Sequence, residues 1–218
     1  SFLLDPWRAF LRGAWQPILL AGASIAIGFV VALVCAIIRS GKNKWASALV
    51  GAYVEVIRNT PLLVQIFIVY FGLPSLGLRL SAETAAVIAL VINTGAYGSE
   101  IIRAGIESIA KGQLEAAECL GLNKLQVYWH IILIPAVERV YPALSSQFVL
   151  LMLSSSITSQ ISAQELTAEA NMIQSETFRS FEVYLIVAAV YLALSVLFRV
   201  VLWAIGEVAF VRRRKLRT

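Results

Sequence analysis

The chain has 218 residues, 59% of them hydrophobic and 14% charged, with a mean hydropathy of +0.80 and a formal net charge of +5. A water-soluble domain of this length carries nearer a quarter charged residues, because its surface must be wetted. This composition excludes an ordinary soluble domain and makes lipid the solvent, for a single all-α membrane domain over 1–218.

The first apolar run covers about 16–38. It is longer than a signal-peptide core and no small-residue cleavage site follows, so a retained membrane helix is expected. Ser1 is not preceded by a methionine, from which some upstream sequence is expected to be missing. A second span is expected over about 62–80, bent or unwound at its outer end by Gly72, Pro74 and Gly77. The third covers about 84–102, the fourth about 140–161 and the fifth about 183–204. Each can cross ~30 Å of hydrocarbon at about 1.5 Å per residue. Cys35 and Cys119 fall in or near different segments and read as small apolar fillers, not as a disulfide framework.

Basic residues set the expected orientation. With the N-terminus outside, thirteen Lys and Arg fall on the inner side, namely Arg39, Lys42, Lys44, Arg58, Arg103, Lys111, Lys124, Arg139 and the tail Arg212, Arg213, Arg214, Lys215 and Arg217. Four (Arg8, Arg12, Arg79, Arg179) fall outside, and Arg199 lies within the fifth segment. The reverse topology inverts this imbalance and violates the positive-inside rule, so the C-terminus is expected in the cytoplasm. The basic tail is explained by anionic headgroups rather than nucleic acid.

Between the third and fourth spans, residues 103–137 form the longest inner connection. Its Glu115–Ala116–Ala117–Glu118–Cys119–Leu120 run favours helix, and Gly121 supplies a corner before Leu122–Asn123–Lys124–Leu125. Leu114, Leu120, Leu122 and Leu125 are apolar on a segment that should meet water. They suit a docking surface for another protein, or equally packing on the inner ends of the membrane helices.

The sequence gives little material for chemistry. No G-x-x-x-x-G-K-[ST] phosphate loop is present, and Gly41–Lys42 has no glycine five positions earlier. The lone histidine, His130, falls on the inner connection, whereas Ser154–Ser155–Ser156 fall toward the outer half of the fourth span; no nucleophile–histidine pair follows. No catalytic residue and no metal site are expected. Asn93, Thr94, Glu100, Gln147, Ser154, Ser155 and Ser156 are polar for helices facing lipid, and are candidates for a solute path. Hydrogen bonding between helices is the competing explanation. Glu100 either meets a substrate ammonium or pairs with Arg103, three residues on, the latter being favoured.

The inner connection resembles the EAA loop of ABC importer permeases: EAA, three residues, Gly, nine residues, then an apolar residue, Leu and Pro. Glu115–Ala116–Ala117, Gly121, Ile131 and Leu133 are in register; Ile134 stands at the proline position and Pro135 comes one residue late. Arg58–Asn59–Thr60–Pro61–Leu62–Leu63–Val64–Gln65, Ala96–Tyr97–Gly98–Ser99–Glu100–Ile101–Ile102–Arg103 and Lys111–Gly112–Gln113 are similar to blocks of the polar amino-acid permeases, the histidine/arginine/glutamine/glutamate-type importers. The likeness covers about 16–207.

The resemblance implies a bacterial inner-membrane permease that moves a polar amino acid. It implies a second permease subunit, an external solute-binding protein, and a cytoplasmic ATPase dimer that holds ATP and magnesium. Glu115, Ala116, Ala117, Gly121 and Leu122 would then couple to the ATPase. Glu165 and Glu169, in the acidic outer loop with Gln164 and Glu176, would meet the binding protein. Many members carry Lys-Asp then Thr-Ser late in the fourth span, where this chain has Leu153–Ser154–Ser155–Ser156, so substrate charge does not transfer. The rivals are a permease for another small polar solute and a secondary transporter or channel. The latter would be expected to show inverted repeats or an intramembrane ion site, and the sequence offers neither.

Overall fold

The computed structural model describes residues 4–163 and 166–210, with side chains from Trp15 onward. Its regular elements are helical: α1 (Leu4–Arg39), α2 (Lys44–Arg58), α3 (Leu62–Ser75), α4 (Ala82–Glu107), α5 (Lys111–Cys119), a three-residue α6 (Lys124–Gln126), a π-helical stretch (Val127–Leu133), α7 (Ile134–Ser154), a 3-10 stretch (Ser155–Ile161), α8 (Leu166–Thr177) and α9 (Ser180–Ala209).

Four helical stretches are long and apolar enough to cross a membrane: Trp15–Arg39, Ala82–Glu107, Lys124–Ile161 and Ser180–Ala209. The pair α2–α3, bent by 107° at its break, makes a fifth if counted as one broken span. The expected first span differs from the apolar stretch Trp15–Arg39 by one residue at each end, within a helix that begins at Leu4. The third continues to Glu107, and the fourth begins far earlier, at Lys124.

The second differs most. Its helix stops at Ser75, where Gly77 takes φ +86° and Leu78 N–H returns to Leu73 C=O at 3.1 Å. This Schellman closure uses the left-handed backbone glycine adopts freely. At 14 residues α3 is only ~21 Å long, short of the hydrocarbon thickness by itself, and it counts as a span only when taken together with α2.

Local chemistry fixes the helix starts. Asn43 Oδ1 accepts from Trp45 N–H at 3.1 Å and Ala46 N–H at 3.2 Å to open α2, and Ser81 Oγ accepts from Thr84 N–H at 3.2 Å to open α4. The central packing is α1 on α4. Ala32, Ala36, Ile102, Leu144, Phe148, Val149 and Leu202 form one buried cluster that also draws in α7 and α9. Small side chains let the axes approach: a β-carbon on Gly98 would sit 2.8 Å from Ala32 Cβ. Toward the other end, Leu20, Ile66, Ala85, Ala86, Ala89, Ile161 and Ala163 join α1, α3, α4 and the 3-10 stretch. The segment carrying Glu169 is not an open loop but α8, packed on α9 through Leu166, Ala170, Val183 and Val187.

Candidate functional site

The inner connection folds into a helical corner. α5 ends as Gly121 takes φ +72°, with Gly121 N–H donating to Glu118 C=O at 2.9 Å and Leu122 N–H to Ala117 C=O at 3.2 Å. Two residues on, Asn123 and Gln126 cap each other: Gln126 N–H donates to Asn123 Oδ1 and Asn123 N–H to Gln126 Oε1, both at 2.9 Å. A Schellman closure followed by a capping box fixes the turn on both sides, so Gly121 marks a set angle rather than a loose joint.

Ala117 is 2% exposed and seats α5. Glu115, Ala116, Glu118 and Cys119 are exposed, Leu114 and Leu122 half-buried. Leu120 and Leu125 are 79% and 67% exposed. The leucines therefore divide, one pair packing on the protein and the other projecting from the corner. Beside α5 runs a cavity of about 530 Å³, bordered by Ala116, Leu120, Leu122, His130, Ile131 and Pro135 among others. Arg139 ties the approach to α5, its Nη1 donating to the Ser108 carbonyl at 2.8 Å and hydroxyl at 2.7 Å.

The late proline has a structural counterpart. Through Val127–Leu133 the helix widens to π geometry, and Ile134 N–H reaches back five residues to Trp129 C=O. A π turn absorbs one extra residue without breaking the helix. Pro135, which has no N–H to donate, follows directly in the continuous helix.

Glu100, within α4, is the meeting point of the ends of α1 and α2. Its carboxylate bonds to Arg39 at the end of α1 and to Arg103 Nη2 at 3.0 Å, and lies 3.7 Å from Arg58 Nη1 at the end of α2. Arg58 also stacks over the Tyr97 ring, 5.5 Å from its centroid, and Arg103 pairs with Glu107 as well. The Glu100 side chain is 19% exposed. The favoured pairing with Arg103 is present, and two arginines beyond the reach of local spacing join it.

The other path candidates separate by their partners. Asn93, buried in α4, donates to Gln65 Oε1 at 3.0 Å. Gln65 Nε2 in turn meets the Ile57 carbonyl at 2.8 Å and the Thr60 carbonyl at 3.0 Å, closing the α2–α3 break. Thr94 Oγ1 bonds within its own helix to Leu90 C=O, Ser155 to Met152 C=O and Ser156 to Leu153 C=O. Gln147 and Ser154 differ: both are half-buried, two turns apart on one face of α7, with exposed Leu150 between them. Ser154–Ser156 straddle the end of α7, where the helix tightens to 3-10.

Glu169 stands half-buried in the first turn of α8, and Glu176 is exposed near its end. Gln164, Glu165 and the basic tail lie outside the described residues. Gln65, which no local pattern distinguished as a brace, is the position that sequence reasoning missed. Among the described residues no group of three or more His, Cys, Asp and Glu could hold a metal ion.

Comparison with known proteins agrees along the whole fold. The family described as "Binding-protein-dependent transport system inner membrane component" matches residues 10–206. The chain is 40% identical over 196 residues to the probable glutamine ABC transporter permease protein GlnM of Bacillus subtilis, covering 90% of this chain and 91% of that one. It is 38% identical over 202 residues to the nopaline transport system permease protein NocM of Agrobacterium fabrum, covering 88% and 84%. Among solved structures, an amino acid ABC transporter crystallised with histidines superposes with a TM-score of 0.85 at 36% identity, over 95% of this chain and 98% of that one. The MetNI methionine ABC transporter in an inward-facing conformation shares the fold at 18% identity, with a TM-score of 0.76 over 94% and 99%.

Proposed function

The chain belongs to the family of binding-protein-dependent transport system inner membrane components, and from that premise we propose that it is the permease subunit of an ATP-driven importer for a polar amino acid. The observation that carries this reading is the corner at α5, with its fixed angle, its seated Ala117 and its projecting Leu120 and Leu125. A rigid, partly apolar knob on a membrane bundle suits a groove in another protein that moves.

In this reading Glu115, Ala116, Ala117, Gly121 and Leu122 form the surface that a cytoplasmic ATPase pair engages. That pair holds ATP and magnesium, since this chain carries no phosphate loop. The corner's end of the bundle faces the cytoplasm and the N-terminus begins outside. Support comes from the gathering of Arg39, Arg58, Arg103, Lys111, Lys124 and Arg139 toward that end. An external binding protein delivers substrate at the opposite end, where Glu169 stands on α8. A second permease subunit, a copy or a paralogue, completes the path.

An amino acid is a zwitterion and needs groups that replace water. Gln147 and Ser154 are the path residues this reading favours, because Asn93, Thr94, Ser155 and Ser156 are already bonded within the protein. Glutamine transport by a relative and an amino acid transporter as structural neighbour support the substrate class.

The test is purification of the chain from its native membrane in mild detergent, with stoichiometric partners identified by mass spectrometry. An ATP-binding subunit is the expected companion. Recovery of the chain without one, under conditions that keep other transporters whole, would overturn the reading.

A further inference from the structure

α8 and α9 form a helical hairpin whose tip takes no part in the α5 corner or the solute path. Leu166 and Ala170 of α8 pack on Val183 and Val187 of α9, and the Tyr184 hydroxyl donates to Asn171 Oδ1 at 2.6 Å. Two residues, Phe178 and Arg179, turn the chain between the helices. From Gln174 to Glu182 only Phe178 and Phe181 are apolar. Both lie open, 88% and 78% exposed.

Phe178 is also strained. Its N–H donates to Gln174 C=O at 2.9 Å, closing α8, and its φ is +56°. Helices commonly close this way on glycine, which enters the left-handed region freely, whereas an aromatic residue enters it at a cost. A bulky side chain held at positive φ and turned outward buries nothing in return. Its place calls for a surface outside the chain.

The position of the tip says which surface. Leu202, near the far end of α9, belongs to the buried cluster that also holds Ala36, within a turn of Arg39 where α1 ends. From Phe181 to Leu202 the helix runs about 32 Å, a hydrocarbon thickness. The tip therefore stands at the end of the bundle opposite Arg39, on the side that meets an external binding protein in the reading above. Lipid headgroups suit it poorly. Membrane interfaces favour Trp and Tyr, and here Glu176 and Glu182 outnumber Arg179, so an anionic surface would repel it.

We propose that Phe178 and Phe181 are a double apolar anchor for the solute-binding protein, seated in a hollow of that protein whose basic rim answers Glu176 and Glu182. The proposal rests on the reading that such a protein serves this permease. It makes the contact apolar at its centre and charged only around it.

The assembled transporter is placed in proteoliposomes, and ATP hydrolysis is titrated with its amino-acid-loaded binding protein. Phe178→Gly keeps the left-handed turn without strain, so its unfolding temperature is expected at or above that of wild type. The binding-protein concentration for half-maximal stimulation rises about tenfold in Phe178→Gly and in Phe181→Ser, as loss of a central aromatic anchor does. The rise persists at high salt, because an apolar contact is not screened. Unaltered half-saturation in both variants overturns the anchor and leaves the binding-protein reading in place. A wild-type transporter that ignores the binding protein overturns both. An environment-sensitive dye on Phe178→Cys, with Cys35 and Cys119 replaced by alanine, reports water until the binding protein is added. Quenching of that dye by brominated lipid beforehand overturns the proposal too, by placing the tip in the bilayer.

Discussion

Arg139 on α7 holds Ser108 twice, by its carbonyl at 2.8 Å and its hydroxyl at 2.7 Å, although the two stand 31 residues apart. The chain leaving α4 toward the α5 corner is thereby tied to the helix that returns from it. A push on α5 reaches α7 by two routes, along the chain through the π segment and across this brace.

Arg139→Ala removes the second route. The brace is solvent-exposed, so the loss in stability is about 1 kcal/mol. The expected effect on function is larger: in proteoliposomes, ATP hydrolysis persists while amino-acid uptake per ATP falls several-fold. An unchanged uptake-to-hydrolysis ratio would confine the brace to a structural role.

Gly121 separates local strain from partner contact. A β-carbon there would meet nothing within 4 Å, but φ is +72°. Gly121→Ala therefore costs about 1 kcal/mol of backbone strain and leaves membrane insertion intact. Gly121→Asp adds charge to the surface that we assign to the ATPase, and is expected to abolish ATP-driven uptake with normal insertion. Normal uptake by the aspartate variant would remove Gly121 from the coupling surface.

The Glu100 junction predicts stability rather than specificity. Glu100→Gln leaves Arg39, Arg58 and Arg103 facing one another without their shared anion, at a cost of about 2 kcal/mol. Arg39→Gln costs less, and the double variant less than the sum, because the two sites are coupled. Thermal unfolding of the purified complex reads all three. A raised substrate KM with unchanged unfolding temperature would instead place Glu100 on the path.

Gln147 and Asn93 make the opposite pair. Gln147→Ala and Ser154→Ala are expected to raise the transport KM about tenfold with little change in stability, as removal of an unshared polar contact to substrate should. Asn93→Ala orphans the Gln65 amide oxygen, costs about 1–3 kcal/mol and leaves KM alone. Reversal of this pattern would exchange their roles.

The outer face offers a charge test. Glu169→Lys on α8 is expected to weaken stimulation by the binding protein at low salt, with the effect fading as salt screens it. Stimulation that is unaltered at low salt counts against docking there.

Much of the corner was legible because its determinants are local. The helix-forming run and Gly121 at the αL position each act on their own neighbours, whereas the Asn123–Gln126 box, though equally local, was not read. The spans were legible for the same reason, since apolar length is a property of contiguous sequence. The Glu100 junction was half legible. Arg103 lies one helical turn away, but Arg39 arrives from 61 residues off and only because α1 lies along α4. The angle between α2 and α3 left no mark of its own. Pro61 was read only as part of a block, and the bend depends on which side chain satisfies the freed carbonyls. The misplaced Pro135 was a signal read without its mechanism, because a helix can widen as well as kink.

The break closed by Gln65 also bears on how the protein is made. α3 is too short to cross a bilayer alone, and the break before it leaves carbonyls at the end of α2 that hydrocarbon does not tolerate. Gln65 covers two of them, but its own amide oxygen is answered only by Asn93, in the next helix to be synthesised. A nascent chain that stopped after α3 would present an incomplete polar join to lipid. α3 and α4 are therefore expected to leave the translocation machinery together, as a hairpin.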